Sequence, residues 1–108
     1  MVCCPANIPG GSMEADPERA YAVPRCRALE NRIFFIECNR VGTQEDLEFS
    51  GRSSIAGPTG ELLARSSSAR EEVIRATLCA DALYEARGMY PDFRDRRPEH
   101  YHLLTDAF

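Results

Sequence analysis

Residues 33–38 constrain the fold of this chain more than any other segment. They read IFFIEC, a short run of β-branched and aromatic residues without a clean alternation of polar and apolar positions. Such a run is typical of a strand that is covered on both faces of its sheet. We therefore predict a layered α/β domain, in which helices cover one face of the sheet and an equally apolar layer covers the other.

The residues in front of this strand predict a helix. Cys26, Leu29 and Ile33 recur at intervals of three and four residues and form one apolar stripe, while charged residues occupy the other faces. The Asp-Pro pair at 16–17 supplies an N-cap and a first-turn proline, so the helix is expected to begin there. We expect Pro24 to kink or restart it, because proline removes a backbone donor and clashes with the preceding turn.

The rest of the 108-residue chain predicts short elements that fit within one domain. In chain order, we expect a buried strand at residues 2–6, a loop at 7–11, a loop at 41–47, a β-hairpin formed by 49–56 and 61–64 around a Gly-Pro-Thr-Gly turn, a loop at 66–70, a strand at 72–79, a short helix after Ala80 with an aspartate start and a glycine stop, and an extended, arginine-rich tail at 91–108.

Charge and hydropathy argue against several classes of partner. The formal net charge of −4 is too small to indicate a polyanionic or polycationic partner. No apolar run approaches the ~18 residues that a membrane helix requires, and no basic stretch precedes the short apolar run near the N-terminus. We therefore expect a cytoplasmic protein that binds neither nucleic acid nor a membrane.

The cysteines and the basic residues limit the chemistry. The five cysteines have no Cys-x-x-Cys spacing and most lie in apolar surroundings, so we predict reduced, buried thiols rather than a disulfide framework. All thirteen basic residues are arginines. A mechanism that needs a catalytic lysine cannot be completed by these residues alone.

Four segments, in this order and spacing, resemble the C-terminal part of the carbon-nitrogen hydrolase (nitrilase) superfamily. They read RALENRIFFIECNRVG, FSGRSSIAGPTGELLA, EEVIRATL and DFRDRRPEHY. The start of the chain, CCPANIPGG, is similar to the strand and loop that follow the family's nucleophile helix. The resemblance covers residues 2–101 without singling out one branch, although the RDRRPEHY tail leans toward amidases and carbamoyl hydrolases.

The resemblance implies both a fold and an assembly. It implies that residues 1–108 are the C-terminal half of a four-layer α-β-β-α sandwich. It also implies a homo-oligomer that is held together through the sandwich and through residues 91–108, an extended tail that crosses onto a neighbouring subunit.

The resemblance also implies a reaction whose reacting groups lie elsewhere. The family hydrolyses small linear amides, N-carbamoyl compounds or nitriles with a cysteine nucleophile, a glutamate base and a lysine that stabilises the oxyanion, without a metal or organic cofactor. All three precede the segment that CCPANIPGG resembles. We therefore expect the triad upstream of this chain, no catalytic residue within it, and no activity of the chain alone.

The best candidate site residues lie in the loop after the first strand. By the resemblance, Ala6, Asn7 and Ile8 line the substrate pocket next to the nucleophile. The amide of Asn7 could hydrogen-bond a substrate carbonyl or carboxylate, or it could satisfy its own turn as loop asparagines often do. Cys3 and Cys4 lack the family's nucleophile context and lie in apolar surroundings that disfavour a thiolate, so we do not expect either to be the nucleophile.

The remaining polar clusters favour structural roles. Glu30 is expected to pair with an arginine or to hold backbone donors at the junction of helix and strand. His100 and His102 stand two residues apart, and no cysteine or carboxylate cluster is spaced to join them on a metal. We expect Arg94, Arg96 and Arg97 to form ion pairs with nearby acids or with a partner subunit, rather than to bind an acidic substrate or phosphate. The nearby acids are Asp92, Asp95 and Glu99.

Two hypotheses of different classes follow. In the first, the chain is a C-terminal fragment of a carbon-nitrogen hydrolase and supplies its framework. In the second, it is a non-catalytic module, derived from that fold, that dimerises or joins a partner. Half a sandwich would leave sheet edges and an apolar face uncovered, so a purified chain that stays monomeric and melts cooperatively would contradict the fragment hypothesis.

Overall fold

The computed structural model describes residues 1–10, 16–66 and 69–105. Its elements, in chain order, are β1 (Val2–Ala6), α1 (Arg19–Asn31), β2 (Phe35–Asn39), β3 (Val41–Gln44), β4 (Leu47–Ser50), β5 (Ser54–Ala56), β6 (Leu62–Arg65), α2 (Ala80–Met89), a 3-10 turn (Pro98–His100) and α3 (His102–Thr105). Parts of three predicted segments lie outside the described residues, namely Gly11, residues 67–68 and residues 106–108. None of the helices within the described ranges is long and apolar enough to span a bilayer.

The main sheet has the strand order β1-β2-β5-β6. β1 runs parallel to β2, in the register Val2↔Phe35 to Ala6↔Asn39, and the other two pairs are antiparallel. The IFFIEC segment therefore supplies a central strand of a mixed α/β structure, as its sequence predicts. The strand begins at Phe35 rather than at Ile33, because Ile33 and the buried Phe34 connect it to α1.

Helix α1 covers one face of this sheet. Arg65 of β6 lies opposite Ser54 of β5, and its guanidinium stacks on the ring of Tyr21 in α1 at 5.4 Å. Residues that share a face with Ser54, among them Glu37 and Ala56, are therefore on the covered side, and all three are buried.

The opposite face of the sheet, which we call the open face, is only partly covered by the described residues. Cys3 and Pro5 of β1 lie on it with Ile36 and Cys38 of β2, since side chains alternate along a strand. Cys3, Pro5 and Cys38 are exposed, whereas Ile55 of β5 is buried. The prediction of burial on both faces thus holds on the α1 side, and the prediction of a buried first strand is wrong for β1.

The buried face of α1 differs from the predicted stripe. Cys26 is exposed and Leu29 is 40% exposed, so two of the three stripe residues do not form the buried face. The helix begins at Arg19, after Asp16 has accepted the N–H of Glu18 at 3.0 Å, and it continues through Pro24 without restarting. The buried face of the helix instead consists of two alanines, a proline and a tyrosine, namely Ala20, Tyr21, Pro24 and Ala28.

The predicted loop at 41–47 is a β-hairpin instead. β3 and β4 pair from Val41↔Ser50 to Gln44↔Leu47 around a two-residue turn in which Glu45 has a φ of 55°. Positive φ at Gly51 (68°) and Arg52 (63°) then ends this hairpin, so the predicted strand at 49–56 is divided between two sheets. The hairpin is polar in sequence and is therefore predicted as a loop. It packs on the rest of the chain through the buried side chain of Phe49, which lies beneath the Arg40 guanidinium.

The predicted hairpin around residues 57–60 is confirmed. β5 and β6 pair across it, and the turn is closed by the Gly60 N–H on the Gly57 carbonyl at 2.9 Å. Residues 72–79, by contrast, pair with no strand among the described residues, so their prediction as a strand is wrong. Helix α2 is confirmed after residue 79, although it continues past Gly88 and is preceded by Cys79 rather than capped by an aspartate.

The tail is less extended than predicted, since it contains the 3-10 turn and α3. It is attached to the body at Arg32, the residue that ends α1 with a left-handed φ of 46°. The Arg32 guanidinium bonds Asp92 at 3.0 Å and lies over the Tyr90 ring at 4.2 Å, while Arg87 donates to the Arg32 carbonyl at 3.2 Å. Among the described residues, Arg32 thus joins Arg87, Tyr90 and Asp92 to the end of α1.

Candidate functional site

The candidate site lies where β1 and β2 end. Because these strands are parallel, their carboxyl ends meet at the same edge of the sheet, which is where α/β proteins place ligand sites. Ala6 and Asn39 are the last residues of the two strands and pair directly. The loop 7–10 leaves from one strand and the β3–β4 hairpin from the other.

The three residues predicted to contact substrate come together at this edge. The Ala6 carbonyl accepts the N–H of Arg40 at 3.3 Å, and both backbone groups of Ile8 are held by Asn39. Asn7 lies exposed between these two anchors, and within the part of the chain that the structure describes no hydrogen bond forms to its side chain. The alternative in which Asn7 satisfies its own turn is therefore not observed among those residues, while substrate contact stays a prediction.

Asn39 connects the loop after β1 to the rest of this edge. Its Oδ1 accepts the N–H of Ile8 at 2.9 Å and that of Arg40 at 3.0 Å. Its Nδ2 donates to the Gly51 carbonyl at 2.7 Å and to the Ile8 carbonyl at 3.4 Å. Its own backbone N–H donates to Ser53 Oγ at 3.0 Å. One side-chain amide thus ties two other segments, the loop after β1 and the segment at Gly51, to the end of β2.

The sequence predictions do not single out Asn39. The available signal was an amide side chain at the end of the strand expected to neighbour the candidate loop. A cavity of about 160 Å³ adjoins this residue and is also lined by Cys38, Ser53 and Ser66. The Ser66 hydroxyl is buried without a partner among the described residues.

Glu37 lies two residues before Asn39, on the sheet face that α1 covers. It is 7% exposed, it pairs with Ser54 of β5, and burial raises the pKa of its carboxyl. The hydroxyl of Ser54 is fully buried and has no partner among the residues that the structure describes. This pair belongs to the interior under the helix and not to the candidate loop.

The two N-terminal cysteines point to opposite faces of β1. Cys3 is exposed on the open face, and Cys4 is half-buried opposite Glu37. The only hydrogen bond found for either thiol within the described ranges runs from Cys4 to the neighbouring Pro5 carbonyl. All five thiols are free, and four of them are exposed, so the prediction of buried thiols is wrong. Cys3 and Cys38 are exposed on the open face, Cys26 on the exposed side of α1, and Cys79 just before α2.

The other predicted clusters behave as structural ion pairs. Glu30 lies 3.6 Å from Arg27 on the surface of α1. In the tail, Arg94 bonds Asp95 at 3.1 Å and Arg97 lies 3.6 Å from Glu99.

Two further tail residues pair differently from the prediction. Arg96 donates to the Phe93 carbonyl and stacks on the Phe93 ring. Asp92 forms an ion pair with Arg32. Within residues 1–10, 16–66 and 69–105, no group of three or more His, Cys, Asp or Glu side chains could hold a metal ion, and this includes the surroundings of His100 and His102.

Comparison with known proteins gives concordant matches. The family model for carbon-nitrogen hydrolases matches residues 11–88. The chain is 40% identical over 75 residues to the 2-oxoglutaramate amidase of Paenarthrobacter nicotinovorans, covering 69% of this chain and 25% of the amidase. It is 39% identical over 106 residues to the nitrilase of Pyrococcus abyssi, covering 94% of this chain and 37% of the nitrilase.

A solved structure matches as well. The crystal structure of a carbon-nitrogen hydrolase from Helicobacter pylori superposes with a TM-score of 0.76 at 28% identity, covering 96% of this chain and 39% of that one. The chain therefore spans about a quarter to two-fifths of the length of these relatives.

Proposed function

The chain belongs to the carbon-nitrogen hydrolase family and has its fold, and we propose that it is the C-terminal part of an enzyme that hydrolyses the carbon-nitrogen bond of small linear amides, N-carbamoyl compounds or nitriles. The resemblance seen in the four sequence segments is thus confirmed at the level of the family. The observation that carries the proposal is a sheet that α1 covers on one face and that is partly exposed on the other. Asn7 lies at the carboxyl edge of this sheet, and its side chain makes no hydrogen bond among the described residues. This arrangement supports the proposal that the chain forms half of a sandwich and that a second sheet packs on the open face.

The proposal divides the chemistry between two segments. The cysteine, glutamate and lysine are supplied by the segment corresponding to the part of the relatives that this chain does not match. With an amide or N-carbamoyl compound, the thiolate attacks the carbonyl carbon, the protonated nitrogen leaves as ammonia or an amine, and water hydrolyses the acyl-thiol intermediate. With a nitrile, the thiolate first adds to give a thioimidate, which takes up one water and releases ammonia before a second water hydrolyses the resulting thioester. The 108 residues contribute the pocket wall, in which the Asn7 amide hydrogen-bonds the substrate carbonyl or carboxylate.

The proposal includes a homo-oligomer. The outer side of α2 and of the tail carries large exposed apolar side chains, including Met89 (69% exposed) and Leu104 (75% exposed). Exposed apolar groups of this kind favour a protein interface over solvent contact. The modest net charge of −4 argues against nucleic acid or a membrane surface as a partner, so the proposed partners are small substrates and other subunits in the cytoplasm.

A complementation assay tests the proposal. The Pyrococcus abyssi nitrilase, truncated to remove the segment that this chain matches, would be mixed with the 108-residue chain and supplied with butyramide, butyronitrile or N-carbamoylglycine. We expect ammonia from the mixture and none above background from either piece alone. An Asn7→Ala variant should raise KM about tenfold, the scale of one lost hydrogen bond, whereas Asn31→Ala on α1 should leave it unchanged.

Thiol labelling supplies a second readout that does not depend on turnover. Cys3 and Cys38 lie on the open face, and Cys26 lies on the exposed side of α1. Docking of the second sheet should protect the first two from an alkylating reagent and leave Cys26 reactive. Protection without ammonia from any substrate would favour the alternative, a non-catalytic interaction module, and the absence of both signals would overturn both hypotheses.

A further inference from the structure

Asn39 has an unusual position at the carboxyl edge of the sheet. Its side chain can accept two hydrogen bonds and donate two, and all four positions are used. Two of the four bonds go to a single residue, Ile8, which is the residue after Asn7. The amide therefore binds the backbone of the candidate loop much as a neighbouring strand would, although the loop has left the sheet.

The loop is held at both of its ends. On the Ala6 side, the carbonyl accepts the N–H of Arg40 at 3.3 Å, and on the Ile8 side both backbone groups are bound by Asn39. The residue between these anchors, Asn7, is the one whose side chain is exposed and without a bond in the described part of the chain. Fixing the backbone on each side of a residue restricts the directions in which its side chain can point.

We infer that Asn39 is a positioning residue that holds the Ala6–Asn7–Ile8 loop in the geometry that receives the substrate. The inference rests on the proposed function, since it presumes that this loop lines the pocket. Asn39 itself does not touch the substrate in this scheme. It acts through Asn7, by removing backbone freedom that would otherwise be lost when the substrate binds.

The requirement is for an amide and not simply for a polar group. The substitution Asn39→Asp would keep both acceptors for the N–H groups of Ile8 and Arg40, but the second carboxylate oxygen would face two carbonyl oxygens in place of the donating Nδ2. The substitution Asn39→Ala would remove all four bonds. Ser53 bonds the Asn39 backbone and not the amide, so a Ser53→Ala variant leaves the four side-chain bonds intact.

The experiment compares Asn39→Ala, the isosteric Asn39→Asp and the control Asn31→Ala in the 108-residue chain. Asn31 carries the same amide, which bonds the Arg27 carbonyl within α1. Amide hydrogen exchange at Ile8 should become at least about tenfold faster in Asn39→Ala, because its N–H loses its acceptor. It should also become faster in Asn39→Asp, because the second carboxylate oxygen repels the Ile8 and Gly51 carbonyls and pushes the loop away from the retained acceptor. Exchange should stay unchanged in Asn31→Ala, with exchange at Cys4 on β1 as the internal reference. If Asn39→Ala does not fold, Asn39→Asp carries the measurement alone.

The kinetic arm uses the complemented mixture with butyramide. A positioning role predicts that KM rises about tenfold while kcat stays within about threefold, because the triad is untouched. A loss that is only structural would lower the active fraction and hence kcat, with KM unchanged. Unchanged exchange at Ile8, or unchanged KM in a mixture that releases ammonia, would overturn the inference while the proposed function stands.

A wild-type mixture that releases no ammonia has a different meaning. It would overturn the proposed function, and with it the inference, since Asn39 would then hold a loop that receives no substrate. Failure of the proposal is thus seen in the wild-type mixture, and failure of the inference alone is seen only in the variants.

Discussion

A single carboxyl group sets the pH response expected of this chain. Glu37 is buried between α1 and the sheet, and burial raises its pKa above that of an exposed glutamate. The folded state therefore binds a proton at higher pH than the unfolded state does. The protonated carboxyl contributes stability that is fully present below the unfolded-state pKa and that is lost as the pH rises through the raised folded-state value.

A Glu37→Gln variant should consequently be more thermostable than the wild type at neutral pH. Glutamine has nearly the same shape and carries no charge to desolvate, and its amide can donate across the strand pair toward the Ser54 hydroxyl, which has no partner among the described residues. The gain should shrink as the pH falls through the raised pKa of the folded-state carboxyl, and it should be lost below about 4, near the ordinary pKa of an unfolded-state glutamate. Melting temperatures measured across this range provide the test, with exposed Glu30→Gln as the control that changes little. A gain that is the same at every pH would contradict the argument.

At the scale of elements, the turn between β5 and β6 is packed directly against α1. Gly60 has a φ of 83°, and a methyl group on it would lie 3.3 Å from Leu29 Cβ and 3.5 Å from the Arg25 carbonyl. Arg25 also donates through Nε to the Gly60 carbonyl at 2.8 Å. This contact explains why Leu29 is partly covered although it does not belong to the buried face of the helix.

Gly60→Ala should lower the free energy of unfolding by about 2 kcal/mol. This loss combines the cost of holding alanine in the left-handed region with the cost of displacing α1. Gly42→Ala is the matched control. Gly42 has a similar φ of 91°, but nothing among the described residues lies within 4 Å of the added methyl group, so it should show only the conformational cost of about 1 kcal/mol. Denaturant unfolding of both variants measures the difference, and equal losses would show that the contact with α1 contributes nothing.

The elements also show which parts of the fold could be predicted from sequence. β2 and the β5–β6 hairpin were predictable because their signals are local, an apolar run and a Gly-Pro-Thr-Gly turn. The β3–β4 hairpin was not, since polar strands with a Glu-Asp turn look like a loop until Phe49 is known to be buried. Residues 72–79 have the composition of a strand but find no pairing partner within the described residues. At the site, the loop residues came from family resemblance, whereas the hydrogen bonds of Asn39 depend on a register that one sequence does not fix.

The whole molecule is more extended than an independent domain of its length. Its radius of gyration is 17.0 Å, compared with about 13 Å for a compact domain of roughly 100 residues. The excess fits a sheet with one partly bare face and a tail held mainly through Arg32. Its relatives contain the matched segment within longer chains, of which it covers 37% and 39% in two cases.

In isolation, the chain should therefore self-associate through the open face. Cys38 lies exposed on that face in β2, beside the exposed Pro5 of β1, so a charge placed there would have to be desolvated in any sheet-on-sheet contact. Cys38→Asp should weaken self-association at least about tenfold in sedimentation measurements, whereas Cys26→Asp, which adds the same charge on the exposed side of α1, should leave it unchanged. A chain that is monomeric and melts cooperatively without either substitution would mean that the bare face needs no partner. That result would remove the physical basis for treating this sheet as half of a larger sandwich.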